Sequence, residues 1–289
     1  MTGRSPQQVY PLLKKLDSLI LGEIRDEATA DEIVDRIETL RATVGSAIDL
    51  RALDLLEVIV ERKSSELMNQ PGPHVDAALS SLKRAINREW ADGEPRLMAD
   101  FLAALGNISH ATLADEQMRQ LETLHHQATP GTDDRLQIAY SLANGHFNSY
   151  GRREQGLAVT ENAIREYEQS HPEGWPLHAS EPLSGYVNFL EQVSRFAQAE
   201  ELLDHFLKSP ARLATRKWLL NRQNQVFREA LQGNGRVSLG EGKTLYVALI
   251  KRIKGLIENA DAPFQYTLLT EVVRVYRAAN DLQLKGVHD

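Results

Sequence analysis

Apolar residues recur at intervals of three and four along almost the whole chain, and no run alternates apolar with polar residues over a strand's length. The pattern predicts an all-α protein. A first helix is expected after Ser5-Pro6, a cap followed by a proline at the first helical position. Val9, Leu12, Leu13, Leu16, Leu19 and Ile20 fall on one of its faces, and Gly22 weakens its end. A second is expected from the capping-box spacing Thr29-Ala30-Asp31-Glu32, with Ile33, Ile37, Leu40 and Val44 inward and a stop at Gly45. A third is expected from about Asp49 to Leu67. Pro71-Gly72-Pro73 ends it as the strongest local breaker in the chain and a candidate subdomain seam.

Further helices are expected over 74–90, 94–105 and 112–127, joined by links short enough for antiparallel hairpins. Thr129-Pro130-Gly131-Thr132 breaks the chain again, and a helix is expected to start there and run to about Tyr150. Helices are then expected over 152–170, 181–194, 196–209, 213–232, 243–259 and 263–282. About a dozen helices with few long loops read as a right-handed stack of helical hairpins. Residues 1–131 are expected to form N-terminal hairpins, as divergent repeats or a cap, and residues 132–289 the regular stack.

Within that stack, the segment 135–170 carries the large residues Tyr140 and Phe147 together with the small residues Ala143, Gly151, Gly156 and Ala163. The stretch from Arg135 to Ser170 resembles a tetratricopeptide repeat, in which two antiparallel helices touch closely, and Gly156 takes the place of the small residue that permits the approach. Asn144 replaces the usual glycine and Thr160 the usual aromatic. A second copy resembles the motif from about Leu183 to Pro210 through Phe196, Ala199, Leu203 and Pro210, with Tyr186, Val187, Leu190 and Phe206 as looser fits. Gly156 and Ala199 lie 43 residues apart, so about nine residues are inserted relative to a 34-residue repeat. A third half-repeat is expected from Pro263, with Leu269, Val272 and Tyr276 on one face. Its second helix would begin near Gln283, so the chain is a fragment of a longer protein or ends in an atypical cap. The resemblance implies a right-handed α-α superhelix whose concave face takes peptides, with Asn148, Asn188 and Gln192 looking into the groove. Ser141 and Gly145 stand where the carboxylate-clamp subfamily needs lysine and asparagine, which argues against chaperone C-termini as ligands. HEAT-like hairpins remain an alternative architecture.

Composition narrows the chemistry. With no cysteine among 289 residues there is no disulfide framework, thiolate metal site or cysteine nucleophile. No apolar run reaches the ~18 residues of a membrane span, and Leu50–Val60 is interrupted by Asp54 and Glu57. The N-terminus lacks a signal-peptide core, so a cytoplasmic location is expected. Net charge is −7, but residues 208–289 hold 14 Lys and Arg against 7 Asp and Glu. This split implies two surfaces with different partners, or two that meet each other.

The candidate sites follow from those patterns. Gly240-Glu241-Gly242-Lys243-Thr244 resembles the end of a phosphate-binding loop, but Val237 stands where the motif needs glycine. The bland reading is a glycine-rich link before a helix. The insertion 171–182 gathers His171, Glu173, His178 and Glu181, which could serve as metal ligands or an acid/base pair. Its alternative role is structural, with Trp175 and Leu177 filling a gap between hairpins. His125 and His126, adjacent on a helix, point in different directions. Trp218, Asn221, Gln225 and Arg228 share one helix face and could hold an extended peptide, unless that face is simply solvated. Lys251, Arg252 and Lys254, with Arg212, Arg216, Lys217 and Arg222 upstream, suit an acidic partner or form a salt-bridged face. Few aromatics interleave them, so nucleic acid is disfavoured.

The expected function is a non-catalytic scaffold or adaptor that binds protein or peptide, with an acidic segment as candidate ligand and no cofactor. The alternatives are a ligand-sensing regulatory module, an enzyme with its site at 171–182, and nucleic-acid backbone binding through the basic end.

Overall fold

The computed structural model describes residues 5–67, 71–105, 111–148, 151–208, 213–233, 239–258, 260 and 262–281. Its described residues form helices and no strand, so the fold is all-α. Thirteen α-helices are described: α1 (Pro6–Glu23), α2 (Glu27–Arg41), α3 (Ala47–Leu67), α4 (Pro71–Ile86), α5 (Glu94–Ala104), α6 (Ala111–Gln127), α7 (Asp133–Asn148), α8 (Arg153–Ser170), α9 (Ser180–Gln192), α10 (Phe196–Lys208), α11 (Leu213–Gly233), α12 (Leu239–Ile257) and α13 (Ala262–Asp281). One 3-10 turn, Leu177–Ala179, precedes α9. The chain divides within α8 into two compact units, residues 1–163 and 164–289.

Local chemistry explains the helix starts. Ser5 sits in extended backbone before Pro6, and its N–H donates to Gln8 Oε1 at 3.1 Å, closing the first turn of α1. The cap of α2 is Asp26 rather than the expected Thr29, because the Asp26 carboxylate accepts from both the Thr29 backbone N–H (2.8 Å) and its hydroxyl (2.7 Å). Helix α4 begins at Pro71 and carries Gly72 and Pro73 in its first turn, where a missing N–H costs nothing. The Pro71-Gly72-Pro73 segment therefore opens a helix inside the first unit.

In that first unit α3 is central and packs against α1, α2 and α4, while α1 lies against both α3 and α5. Leu55, Val58, Ile59 and Val60 of α3, Ala78, Leu82 and Ala85 of α4, and Met98 and Phe101 of α5 form its core. Polar groups are built into this core. Arg51 of α3 is fully buried and donates to three carbonyls at and beyond the end of α4, those of Ala85 (2.9 Å), Arg88 (2.8 Å) and Glu89 (2.9 Å). It also pairs with buried Glu94 at 2.5 Å and lies over the Trp90 ring. One guanidinium thus satisfies the orphan carbonyls of a helix end and a buried carboxylate together. Asp54, also fully buried, gathers Arg41 of α2, Arg84 of α4 and Arg88 just beyond the end of α4. Burial disfavours the charge of neighbouring Glu57, but hydrogen bonds from Arg41 and Arg84 outweigh it and hold that carboxyl below its usual range.

The close approach expected at Gly156 is present. A Cβ there would lie 2.6 Å from Phe147 Cδ2 and 3.0 Å from the Ala143 carbonyl oxygen, so α7 and α8 meet at a distance that only glycine allows. Thr160, where the repeat motif has an aromatic, is buried and returns its hydroxyl to the Gly156 and Leu157 carbonyls of its own helix. Ser141 and Gly145 of α7 are covered; a Cβ at Gly145 would meet Met118 Sδ of α6 at 2.6 Å.

In the second unit α9 packs on α10 and α11, α10 on α11, α11 on α12 and α13, and α12 on α13. Leu183, Tyr186, Val187, Leu190, Ala199, Leu203 and Phe206 are all buried there. Pro210, the last residue of the second expected repeat, lies outside the described residues, as do 282–289. The core face of α13 differs from the expected one. Leu268, Val275, Ala278 and Ala279 are buried, Val272 and Tyr276 are partly buried, and Leu269 points outward. The doublets Leu268-Leu269 and Val272-Val273 place apolar residues on both faces, so spacing alone does not select the inner one.

Candidate functional site

The insertion 171–182 is anchored by aromatics. Trp175 is 1% exposed and sits 4.9 Å from the Tyr167 ring and 4.8 Å from the Phe206 ring, while its carbonyl accepts from the Thr215 hydroxyl of α11 at 2.7 Å. His171 stacks on Tyr167 and places Nδ1 2.9 Å from the Tyr167 carbonyl. Trp175 therefore fills the gap between helices, as one of the two readings expected. Leu177 does not, being 53% exposed on the 3-10 turn. Glu173, His178 and Glu181 are exposed, and among the described residues no group of three histidines or carboxylates is placed to hold a metal ion.

Gly240–Thr244 belongs to the first turns of α12 rather than to a loop, because the helix already starts at Leu239. The tight anion-cradling curve of a phosphate loop is absent from this segment.

Helix α11 lies between α9, α10, α12 and α13, and its amide-rich run faces several of them. Trp218, Asn221, Gln225 and Arg228 are all half-buried. Gln225 donates to Glu229 at 2.8 Å, and Arg228 faces Glu271 of α13 at 3.3 Å. On the side toward α9, Arg222 donates to Asn188 and to Glu191 (2.8 Å). Burial pushes the Glu191 carboxyl up to about 7; Arg222 opposes the shift and neighbouring Glu229 adds to it. Gln192 at the end of α9 and Asn148 at the end of α7 are exposed, the latter donating to Asn144 at 2.5 Å.

The basic cluster separates into two kinds of residue. Arg222 and Arg252 are consumed internally, Arg252 by Glu200 of α10 at 2.6 Å, and Arg216 donates to the Leu207 carbonyl at 2.9 Å near the end of α10. Lys251 and Lys254 are exposed on α12, and Arg212 lies outside the described residues. Residues 164–289 together hold 16 Lys and Arg against 15 Asp and Glu, so the positive excess after residue 208 meets carboxylates of α9 and α10 within its own unit.

Sequence reasoning missed the outward face of α13. Tyr266 is 75% exposed, Leu269 52% and Val273 50%, and their spacing of three and four aligns them along one side of the helix. Arg277, one turn beyond Val273, continues the line, and Arg274 beside it pairs with Glu271. The signal was present in the doublets, which give α13 more apolar residues than one buried face uses. No protein-family model and no curated protein matches the chain. Among solved structures it matches the S. pombe nuclear import adaptor Nro1 with 12% identity over 97% of this chain and 94% of that one, at a TM-score of 0.32.

Proposed function

We propose that the chain is a non-catalytic, cytoplasmic scaffold or adaptor that binds protein or peptide partners through a tetratricopeptide-like stack of helical hairpins. The observation that carries this reading is the outer face of α13. Three large apolar side chains, each at least half exposed, line one face of a helix whose opposite face is already buried. Aligned apolar exposure of this kind marks an interaction surface, whereas scattered single residues do not. Lys251 and Lys254, exposed on α12, add positive charge to the same hairpin and support an acidic component in the partner.

The test is capture from native lysate on immobilised protein, with nuclease treatment and mass spectrometry of what remains bound. A stoichiometric protein partner is expected, and the double variant K251E/K254E is expected to bind it more weakly and with a shallower salt dependence. Arg252 is left intact in that variant because it pairs with Glu200. Retention of only nuclease-sensitive material would overturn the reading in favour of nucleic-acid binding.

A further inference from the structure

We infer that α11 and α13 hold ordered water at a built site lined by Asn221, Asn224, Arg228 and Glu271. Asn224 is 1% exposed, and among the described residues neither atom of its carboxamide has a hydrogen-bond partner, whichever way the group is turned. It stands three positions after Asn221 and four before Arg228, so the three lie along one side of α11. That side turns toward α13. Arg228 Nε lies 3.3 Å from Glu271 Oε2 of α13, while Leu220, Phe227 and Leu231 beside Asn224 pack into the apolar cluster shared with α12 and α13. Asn221 Oδ1, Arg228 Nε and Glu271 Oε2 are also buried and make no hydrogen bond among the described residues. The Arg228–Glu271 contact is thus an attraction between charges without hydrogen-bond geometry, and the other Glu271 oxygen takes Arg274.

The mixture of donors and acceptors selects the occupant. Asn221 Oδ1, Asn224 Oδ1 and Glu271 Oε2 accept, whereas Asn224 Nδ2 and Arg228 Nε donate. A metal cation would meet the acceptors and be repelled by Arg228. An anion would meet the donors and be repelled by Glu271, whose charge Arg228 and Arg274 already balance. An apolar group would leave every one of these atoms unmet, which a buried seam tolerates poorly. Water donates and accepts at once and makes about three hydrogen bonds at a buried site, so one or two molecules serve the whole set. Such water bridges the amide strip of α11 to α13 through Glu271, across a seam whose neighbouring contacts are apolar. It is held for long periods, because Asn224 and Glu271 (3% exposed) are almost wholly covered.

The inference is independent of the protein-binding reading, and its probe is water itself. Magnetic resonance of the isotopically labelled full chain measures cross-relaxation between solvent and the Asn224 Nδ2 protons. Laboratory-frame and rotating-frame effects of opposite sign are expected, as given by water held longer than the molecule takes to tumble; proton exchange gives the same sign in both. Oxygen-17 relaxation dispersion counts the long-lived waters per chain. The variant Asn224→Leu is expected to lose one or two of them. It should also raise the unfolding equilibrium constant at least tenfold, because Asn221, Arg228 and Glu271 lose their bridge. If the seam is dry, the same variant removes two unmet polar atoms and gains stability with the count unchanged, which overturns the inference. Absence of a held-water contact at Asn224 in the wild-type chain also overturns it. That measurement needs no substitution, so it decides alone if circular dichroism shows Asn224→Leu unfolded.

Discussion

Replacing three helical glycines by alanine separates close helix packing from helix propensity, because the structure places a different neighbour at each. In α8, the new methyl of Gly156→Ala would meet the Phe147 ring at 2.6 Å and the Ala143 carbonyl oxygen at 3.0 Å. Neither yields easily, since the ring is packed in the core and the carbonyl is main chain. Overpacking of this kind costs about 1–3 kcal/mol, against a helix-propensity gain of at most ~1 kcal/mol. A net loss of about 1–2 kcal/mol is expected, which lowers Tm by roughly 2–8 °C for a unit of this size. In Gly145→Ala the obstacle is Met118 Sδ, also at 2.6 Å, but a thioether on a flexible side chain swings aside, so stability should stay within ~0.5 kcal/mol of wild type. Nothing lies within 4 Å of the new methyl in Gly255→Ala of α12, and a gain of about 0.5–1 kcal/mol is expected there. Urea denaturation and calorimetry, both followed alongside far-ultraviolet circular dichroism, give the order directly. If Gly156→Ala is as stable as wild type, α7 and α8 do not approach as described, and the reasoning from Gly156 fails.

Other perturbations test the buried polar and aromatic groups. Arg51→Met strands Glu94 and three carbonyls in the core and should cost about 3–5 kcal/mol in urea unfolding; Arg51→Lys should recover little, because an ammonium cannot span the same set. Trp175→Ala should cost about 3–5 kcal/mol, and Trp175→Phe clearly less, as read from the unfolding of the second unit. The raised Glu191 carboxyl binds a proton in the folded state at pH values where the unfolded chain has released it. Its contribution is therefore fully present below about pH 4.5 and is lost as pH rises through about 7. Glu191→Gln should flatten the stability profile over that window, and an unchanged profile would show that the carboxyl is ionised throughout.

Much of the fold is legible in the residues because helix periodicity and breakers are local. The Gly156 contact was readable from a motif that specifies where a small residue must stand. What sequence could not supply was partner choice between competing local options. Asp26 displaced Thr29 as a cap because its carboxylate could reach both Thr29 donors, a matter of backbone direction at one turn. Pro71 and Pro73 read as a stop, yet prolines in a first turn start a helix equally well. On α13 the apolar doublets offer two inner faces to the sequence, and packing against α11 and α12 selects one of them. The candidate binding residues fared unevenly for a related reason. Charge and amide content marked Arg222, Arg228 and Arg252 as polar, but long-range pairing with Glu191, Glu271 and Glu200 buries Arg222 and half-buries the other two.

The bond from Thr215 to the Trp175 carbonyl bears on how the second unit opens. In an ideal array of repeats, amide hydrogen exchange proceeds from the ends inward, one hairpin at a time, since each unit answers only to its neighbours. Here a residue in the link before α9 is held by α11 across forty positions of sequence and is wedged against Phe206 of α10. Loosening α11 removes the support of that link, and loosening the link exposes the ring that α10 packs upon. Exchange protection in α9, α10 and the first turns of α11 should therefore be lost together, as one cooperative block, so these hairpins cannot be exchanged or deleted singly like beads on a string.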